Sequence, residues 1–287
     1  MLKKFLLGIA ACVLMISTLT GCGGSETSNA PKAPDKATIG VIYHLNASEE
    51  LYTEIMQKLE KSYRPSKAHL VDNYKYFNNI KEMLLALDAG QIDIISTYQC
   101  VADYMISRND KLEILPSERV LRDSFCLAVR EGDTILRNEL NKAIKSMTDD
   151  GTLVKLSKQY IVDLKPGEDP PPVEIENIPG AETIKVALTG DLPPLDLILA
   201  DGTPAGFSTA VLAEISKRLG KNMELVSIES SDRASVLTSK AADVVFWVSV
   251  PEDNNLIPEY IDRPDGIALT QPYYSDKIVH IALKESK

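Results

Sequence analysis

The chain has few of the residues, and none of the motifs, on which common catalytic sites depend. Its 287 residues include four cysteines, three histidines and one tryptophan. It contains no GxSxG nucleophile motif, no HExxH zinc motif and no GxxxxGKS/T phosphate loop. The histidines, His44, His69 and His280, are far apart in the sequence. We therefore predict a protein that is not an enzyme and that needs no metal or cofactor.

Positive charge is also scarce. Lysine and arginine number 31 against 41 aspartates and glutamates, so the formal net charge is -10. Proteins that bind nucleic acid usually carry a basic net charge or a basic patch. Nucleic acid is therefore not an expected partner.

The N-terminal apolar run is short for a membrane span. It covers residues 5–16, about a dozen residues, whereas a spanning helix needs about 20. It follows Lys3 and Lys4 and precedes small residues, which is the order of a secretory signal peptide. We predict a signal peptide over 1–21; an uncleaved anchor helix is the alternative.

The four residues Leu19-Thr20-Gly21-Cys22 resemble the lipobox of bacterial lipoproteins. The resemblance implies that Cys22 becomes the N-terminus and carries lipid, and two or more acyl chains anchor a protein stably. It also implies an extracytoplasmic protein anchored to the cell membrane. The stretch 22–36 is rich in Gly, Ser and Pro, and we predict a flexible tether there.

Two cysteines remain after Cys12 leaves with the leader and Cys22 takes lipid. An oxidising compartment permits a disulfide between Cys100 and Cys126. Two buried free thiols are the alternative, and the sequence does not decide between them.

Strand and helix patterns alternate through the rest of the chain, which predicts an α/β protein with parallel, helix-covered sheets. In the first half the predicted strands are 38–43, 69–71, 92–96 and 125–129, and the predicted helices are 51–63, 79–87, 136–147 and 153–161. In the second half the predicted strands are 183–188, 223–228, 243–250 and 278–283, and the predicted helices are 207–219 and 233–239.

Prolines separate the two halves. The stretch 165–180 contains Pro166, the run Pro170-Pro171-Pro172 and Pro179, which predicts a semi-rigid linker, partly polyproline II. A tandem repeat is one interpretation of two α/β halves. Because the halves share no motif beyond an aspartate followed by apolar residues, complementary halves of one fold are favoured.

Four segments of the second half carry a family resemblance: IKVALTGDLPPL, DGTPAGFSTAVLAEISKRLGK, LTSKAADVVF and LTQPYYSDKIVHIALKES. Together they resemble the first lobe of bacterial extracellular solute-binding proteins of the polar-amino-acid ABC transporter type, family 3-like. In the first half, IGVIYHLNASEEL, LLALDAGQIDII and DSFCLAVREGDTILRNELNKAIKSMTDDGTLVKLSKQYI resemble the second lobe and the closing helices. The resemblance implies a two-lobed periplasmic-binding-protein type II fold with a ligand cleft between the lobes.

The order of these segments implies a circular permutation, because the lobe that comes first in the family comes last here. Lobe two is predicted to be 37–122 plus 278–287. Lobe one is predicted to be 125–275, including the Pro-rich linker 165–180, which joins the natural ends. Permutation is tolerated where chain ends are exposed and close together.

Three anchors that the family uses for an amino acid are missing from the matching positions. No arginine follows the strand 243–250, where Asp253, Asn254 and Asn255 stand. Tyr98 stands where the family has an aspartate for the ligand ammonium, and no stacking aromatic lies near Ser230. A flat, aromatic or weakly charged ligand is therefore the sharper hypothesis.

The candidate ligand-binding residues come from both lobes. They are Tyr43, Asn46, Ser48, Tyr98 and Gln99 from lobe two, and Asp191, Leu192, Arg233, Trp247 and Ser249 from lobe one. Free backbone N–H groups at the helix start near Asn46 and Ser48 favour an acceptor or anion.

Structural roles are the alternatives for several of these residues. Trp247 could be a core residue, Tyr98 a buried phenol and Ser48 a helix cap, while Asp191 and Arg233 could be solvated. Arg263, in the insertion 259–266, could replace the missing arginine.

We expect capture of a small amino acid or amino-acid-like ligand, including an aromatic one, for a membrane permease of an ABC importer, by a monomeric lipoprotein. One alternative is an enzyme on the same fold, such as a cyclohexadienyl- or arogenate-type dehydratase. Another is a ligand sensor, which would need a membrane segment after Lys287.

Overall fold

The computed structural model describes residues 36–43, 50, 53–54, 57, 70–117, 120–252 and 265–284. The predicted signal peptide, Cys22 and the tether before Lys36 lie outside the described residues, as do Asn46, Ser48 and Arg263 and most of the predicted helix 51–63. Within the described part, no helix is both long and apolar enough to cross a membrane.

The first half of the chain alternates strands and helices, and the helix Gln99–Ile106 and the strand Leu112–Ile114 are not among the predicted elements. Its elements are β1 (Lys36–Ile42), β2 (Leu70–Phe77), α1 (Ile80–Asp88), β3 (Ile94–Tyr98), α2 (Gln99–Ile106), β4 (Leu112–Ile114), β5 (Arg122–Arg130), α3 (Thr134–Asp149), α4 (Thr152–Ser157) and a π-helical turn, Lys158–Val162. α1 begins where the Asn79 side chain accepts a hydrogen bond from the Glu82 N–H at 2.9 Å, an N-cap. Its buried residues recur at helical spacing and cover one sheet face: Ile80, Met83, Ala86 and Leu87.

The second half contains β6 (Thr183–Leu188), β7 (Asp191–Leu192), β8 (Asp196–Ile198), β9 (Pro204–Ala205), α5 (Phe207–Leu219), β10 (Asn222–Ser227), α6 (Arg233–Thr238), β11 (Val244–Pro251), β12 (Ile267–Leu269) and β13 (Tyr274–Leu283). β7, β8 and β9 form a small separate sheet that the sequence does not predict. The linker 165–180 packs on this sheet, since the Val173 N–H donates to the Pro204 carbonyl at 2.8 Å and Val173 is buried.

Ten described strands form one hydrogen-bonded sheet that divides into two similar groups. In lobe one, β6 lies between β10 and β11 and is parallel to both, and β5 runs antiparallel between β11 and β12. In lobe two, β1 lies between β2 and β3 and is parallel to both, and β13 runs antiparallel between β3 and β4. Each half of the chain therefore supplies a strand to the other half's sheet.

The strands β5 and β13 connect the lobes. Arg122–Phe125 of β5 pairs antiparallel with Tyr274–Lys277 of β13, and each strand then continues into a different lobe. The predicted strand 278–283 is the second part of β13; its residues Ile278–Ile281 pair with β3. This pair of adjacent strands forms the hinge of the molecule.

Gly206 precedes α5 at a point where no side chain fits. Its φ is +102°, and a Cβ there would lie 2.7 Å from the Leu195 carbonyl oxygen and 2.8 Å from that of Pro194. Glycine adopts such a φ without steric cost. The start of α5 consequently packs directly on the turn between β7 and β8.

Cys100 and Cys126 are both free and buried. Burial raises the pKa of Cys126 to about 12, and burial together with the Asp276 charge raises the pKa of Cys100 well above its ordinary value. Of the two alternatives that the sequence leaves open, the structure contains the buried thiols, which are protonated and inert at neutral pH.

Candidate functional site

A small cavity of about 50 Å³ lies between the lobes, beside the hinge. Its lining comes from the ends of β1 and β3, from β11, and from both hinge strands: Val41, Ile42, Tyr43, Ser96, Thr97, Tyr98, Asp123, Leu192, Trp247 and Ile278. In open α/β sheets, ligands bind outside the carboxyl ends of the strands. The cavity occupies that position in both lobes at once.

Trp247 reaches this cavity because β11 carries a bulge. Val245 pairs with Ala128 and Val248 with Cys126, so β11 advances three residues where β5 advances two. Trp247 has φ +41°, a left-handed conformation that a bulky residue adopts at a cost of about 1–3 kcal/mol. Bulges commonly re-aim a side chain next to a functional site.

Aromatic rings surround the cavity on several sides. The Tyr98 ring meets the Trp247 ring edge-to-face at 6.4 Å between centroids, and it meets Phe125 at 4.7 Å. Tyr43 stands on the lobe-two side, with its ring 5.7 Å from Tyr76. These rings offer broad apolar faces with negative π-electron density, which suit flat or positively charged groups.

Arg233 is buried against Trp247, and the alternative that it is solvated is wrong. Its guanidinium carbon lies 3.8 Å from the centroid of the Trp247 ring, and the residue is 3% exposed. Its Nη1 donates to the Tyr43 carbonyl oxygen at 3.4 Å, from lobe one to lobe two. Arg233 therefore covers one face of the indole and bridges the lobes.

Asp123 is the charged residue among the described residues that line the cavity. It is 5% exposed, and its Oδ2 accepts a hydrogen bond from the Tyr98 hydroxyl at 3.2 Å. It pairs in register with Asp276 on the neighbouring hinge strand, which is 8% exposed. The Asp276 carboxylate accepts hydrogen bonds from the Cys100 and Lys277 N–H groups. Two buried aspartates are thus cross-strand neighbours in the hinge.

Two further hydrogen bonds join the lobes at the rim. The Ile80 N–H, at the start of α1, donates to Asp191 Oδ2 at 3.1 Å. The Ser231 N–H donates to Asn78 Oδ1 at 3.3 Å. Together with the Arg233 contact, these bonds hold the lobes against each other, so the structure corresponds to a closed arrangement.

Behind the cavity, lobe one contains buried polar atoms that find no hydrogen-bond partner among the described residues: Thr189 Oγ1, Asp196 Oδ1, Ser230 Oγ and Trp247 Nε1. Asp196 Oδ2 accepts the Gly190 N–H at 3.0 Å. Burial raises the pKa of Asp196 to about 6, and the nearby Arg233 charge opposes this increase. Unpartnered buried polar groups are costly, and they are typical of sites that bind polar ligands.

Two predicted residues lie elsewhere. Gln99 donates to Asp103 Oδ1 at 2.8 Å and lines a second cavity of about 430 Å³, next to α2 and the linker. Ser249 is 3% exposed within β11, where it pairs with Phe125. Of the other described candidates, Tyr43, Tyr98, Leu192 and Trp247 line the first cavity, and Asp191 and Arg233 adjoin it.

Sequence reasoning missed Asp123. It precedes the apolar run 125–129 by two residues and looks like an ordinary polar strand start. Its position next to Tyr98 depends on the pairing of β5 with β13, whose residues are more than 140 positions apart, as in the pair Phe125–Tyr274. Among the described residues, no group of three or more His, Cys, Asp or Glu could hold a metal ion.

Comparisons with known proteins agree with this geometry. The family model of bacterial extracellular solute-binding proteins, family 3, matches residues 67–163 and 184–287. No curated protein sequence is significantly similar to the chain.

Three solved structures have similar folds at low sequence identity. The ligand-binding component of an ABC-type import system from Staphylococcus aureus, solved with zinc bound, has a TM-score of 0.40 at 14% identity; the match covers 86% of this chain and 66% of that one. The alkanesulfonate-binding protein SsuA from Xanthomonas axonopodis pv. citri, bound to MOPS, has a TM-score of 0.38 at 10% identity, with 89% and 67% covered. The GluR0 ligand-binding core from Nostoc punctiforme, in complex with L-glutamate, has a TM-score of 0.37 at 12% identity, with 88% and 86% covered.

This chain spans just under two thirds of the Staphylococcus protein. These structural similarities concern the fold alone. The family match is much stronger, because its two segments span most of the sequence and include both hinge strands. The chain has the periplasmic-binding-protein type II fold, in which two adjacent strands cross between two α/β lobes and the site lies at the strand ends. It belongs to the bacterial extracellular solute-binding proteins, family 3.

Proposed function

We propose that this solute-binding protein captures a small, flat, amino-acid-like solute between its lobes and delivers it to the permease of an ABC importer. One observation carries the proposal. Side chains from the strand ends of both lobes, including Tyr43, Tyr98 and Trp247, meet in a single cavity beside the hinge. A solute held there contacts both lobes, so its binding favours closure of the hinge.

The solute enters only when the lobes separate. The cavity of about 50 Å³ is smaller than the ~150 Å³ that a benzene-sized guest occupies, so the lobes of the loaded form stand farther apart than in this arrangement. Opening breaks the Asp191–Ile80 and Arg233–Tyr43 contacts and exposes the indole. A permease can recognise the difference between open and closed forms, because a bound solute shifts the population toward the form it contacts with both lobes.

Thermal unfolding with a panel of amino acids, aromatic amines, nucleobases and small peptides tests capture. A solute at 100 times its dissociation constant adds about 2.7 kcal/mol to the free energy of unfolding. We expect at least one class of flat solute to raise the midpoint. If no solute does so in a panel that includes total small-molecule extracts, capture is the wrong function.

The same proposal places the protein outside the cytoplasm, as a monomer anchored by lipid on Cys22. Its support is the order of charged, apolar and small residues before LTGC. The Cys22→Ser variant is expected to leave the membrane fraction and appear in the soluble fraction. Membrane retention of that variant contradicts the lipid anchor.

We also propose that the chain is a circular permutation of the family fold. The support is that the last strand, β13, inserts between β3 and β4 of the sheet made by the first half. The lobe boundaries 37–122 plus 278–287 and 125–275 belong to this proposal.

Capture without catalysis is part of the proposal. The family is one of ligand-binding proteins, and the cavity offers a single carboxylate among its described lining residues. Incubation with prephenate or arogenate is expected to give no product above the uncatalysed rate. Product formation that depends on Asp123 would instead favour a dehydratase.

A further inference from the structure

We infer that the captured solute is an organic cation: an amine on an apolar or aromatic body, whose ammonium group lies against the Asp123 carboxylate. The inference rests on the proposed function, because it specifies the charge of the solute that the same cleft captures. It concerns Asp123, Tyr98 and Trp247, which come from the hinge, lobe two and lobe one respectively.

The first argument is the charge of the cavity lining. Asp123 is its charged member among the described residues, and it is 5% exposed. Asp276 is its cross-strand neighbour on the other hinge strand. The Tyr98 hydroxyl, a neutral donor at 3.2 Å, contacts Asp123 Oδ2. An ammonium ion at this place gains a charge-assisted hydrogen bond, whereas an anion meets a buried carboxylate.

The second argument is the aromatic lining. Tyr43, Tyr98 and Trp247 line the same cavity. The faces of aromatic rings attract cations, and a desolvated site strengthens the attraction. The Arg233 guanidinium already rests on one face of Trp247 at 3.8 Å, so this indole stabilises a positive group within the molecule.

Arg233 does not make the cleft a site for anions. It is absent from the residues that line the cavity, and its guanidinium is engaged with the indole face and the Tyr43 carbonyl. It also lies in the field of the buried Asp196 carboxyl group. The guanidinium is therefore held between the Trp247 indole of lobe one and the Tyr43 carbonyl of lobe two, whereas Asp123 lines the cavity.

Four probes with the same phenyl and two-carbon body separate the possible charges: 2-phenylethylamine, phenylalanine, 3-phenylpropionate and 2-phenylethanol. Trp247 is the one tryptophan in the chain, so intrinsic tryptophan fluorescence reports on the cleft alone. We expect the amine to bind about tenfold or more tightly than the alcohol, and the anion to bind weakest. This comparison uses the wild-type protein.

The Asp123→Asn variant is the second arm. It keeps the shape of the side chain and removes the charge, so the affinity for 2-phenylethylamine is expected to fall about tenfold while that for 2-phenylethanol changes less than about threefold. Asp201→Asn is the matched control. It removes a carboxylate from an exposed turn that bonds the Thr203 N–H, and all four affinities are expected to stay unchanged.

The outcomes separate this inference from the proposed function. If the anion or the zwitterion binds as tightly as the amine, or if D123N weakens amine and alcohol equally, the assignment of a cation is wrong and capture stands. If none of the four probes binds but another solute raises the thermal midpoint, the assignment is wrong in the same way. If no solute of any kind raises the midpoint, capture itself is wrong.

Discussion

The carboxyl group of Asp196 is enclosed in lobe one, and its pKa is raised to about 6 by burial. In the unfolded chain the same group has a pKa near 3.8. Below about pH 4 it is protonated in both states. As the pH increases to about 6, the unfolded carboxyl group ionises while the folded one stays protonated, so stability decreases. Above that range the cost is constant, on the order of 3 kcal/mol.

The Asp196→Asn variant lacks this titration. Relative to the wild type, it is expected to gain on the order of 3 kcal/mol of unfolding free energy between pH 4 and pH 7, measured by urea unfolding at both pH values. Asp201→Asn is the control, because the Thr203 N–H lowers the pKa of the exposed Asp201 and the difference changes in the opposite direction. A difference between D196N and wild type that does not vary with pH contradicts the assignment.

Gly206 is a second residue whose replacement has a defined cost. The Gly206→Ala substitution places a Cβ 2.7 Å from a backbone carbonyl oxygen at φ +102°, so we expect a loss of about 2–4 kcal/mol, measured by chemical unfolding. Gly202→Ala is the matched control. Its φ is +85° but nothing lies within 4 Å, so it is expected to lose about 1 kcal/mol. Equal losses in the two variants would mean that the contact with the loop is unimportant.

For single residues, the sequence predicts which aromatic side chains reach the site better than it predicts the burial and contacts of charged ones. Trp247 and Tyr98 are predictable as site residues because they end or interrupt apolar strands. The burial of Arg233 is not predictable, because its partners Trp247 and Tyr43 lie 14 positions after it and 190 before it in the chain. The position of Asp123 in the site is not predictable for the same reason, because it depends on the pairing of β5 with β13.

Arg130, the last residue of β5, forms hydrogen bonds with the turn that joins α6 and β11. Its guanidinium donates to the Ala242 carbonyl oxygen at 2.6 Å and to Asp243 Oδ1 at 2.9 Å, with the side chain 20% exposed. The second Asp243 oxygen accepts the Lys185 N–H at 3.0 Å, at the start of β6. One side chain thus holds three strands of lobe one together.

The Arg130→Ala substitution is expected to cost about 2–4 kcal/mol of unfolding free energy, because it leaves charged and carbonyl acceptors without their donor. Lys145→Ala is the control. Lys145 forms an exposed pair with Asp149 on α3, with the Lys145 side chain 68% exposed, and its loss costs about 0.5 kcal/mol or less. Urea unfolding of both variants provides the comparison, and a loss below about 1 kcal/mol for R130A contradicts the role.

The elements that the sequence predicts best are those with both a periodic pattern and a marked end. β6 and α5 match their predicted ranges because Gly206 and Gly220 bound the helix. α2 is missed because it follows β3 without an intervening turn, and Tyr98 is both the last residue of the strand and the helix N-cap. β7, β8 and β9 have two or three residues each, too few for an alternating pattern.

For the whole molecule, the distance between Lys36 and Lys284 decides whether joining these two residues costs stability. β13 is antiparallel to β3, and β3 is parallel to β1. The last residues of β13 therefore lie at the same end of the strands as the first residues of β1. Two strand spacings separate them, about 10 Å. Lys284 and Lys36 therefore lie at the same end of lobe two, away from the hinge and the cavity.

A protein with the segments reordered tests this geometry. We place residues 181–284 first, add about six Gly and Ser residues, which reach up to about 20 Å, and continue with residues 36–178. Both hinge strands stay intact, and residues 171–178 keep their contact with β9. The reordered protein is expected to bind the same solute with an affinity within about threefold, and to unfold within about 1 kcal/mol of the original, because no strand pairing changes.

Fluorescence of Trp247 and urea unfolding are the measurements, and a second variant with the same linker inserted after Arg122 is the control. That insertion separates Arg122, the first residue of β5, from the rest of the hinge strand, next to the Arg122–Ser275 hydrogen bonds. It is expected to weaken solute binding more than the reordering does. If the reordered protein fails to fold while the hinge insertion is tolerated, then the connection through residues 179–180, and not the paired hinge strands, holds the two lobes in register.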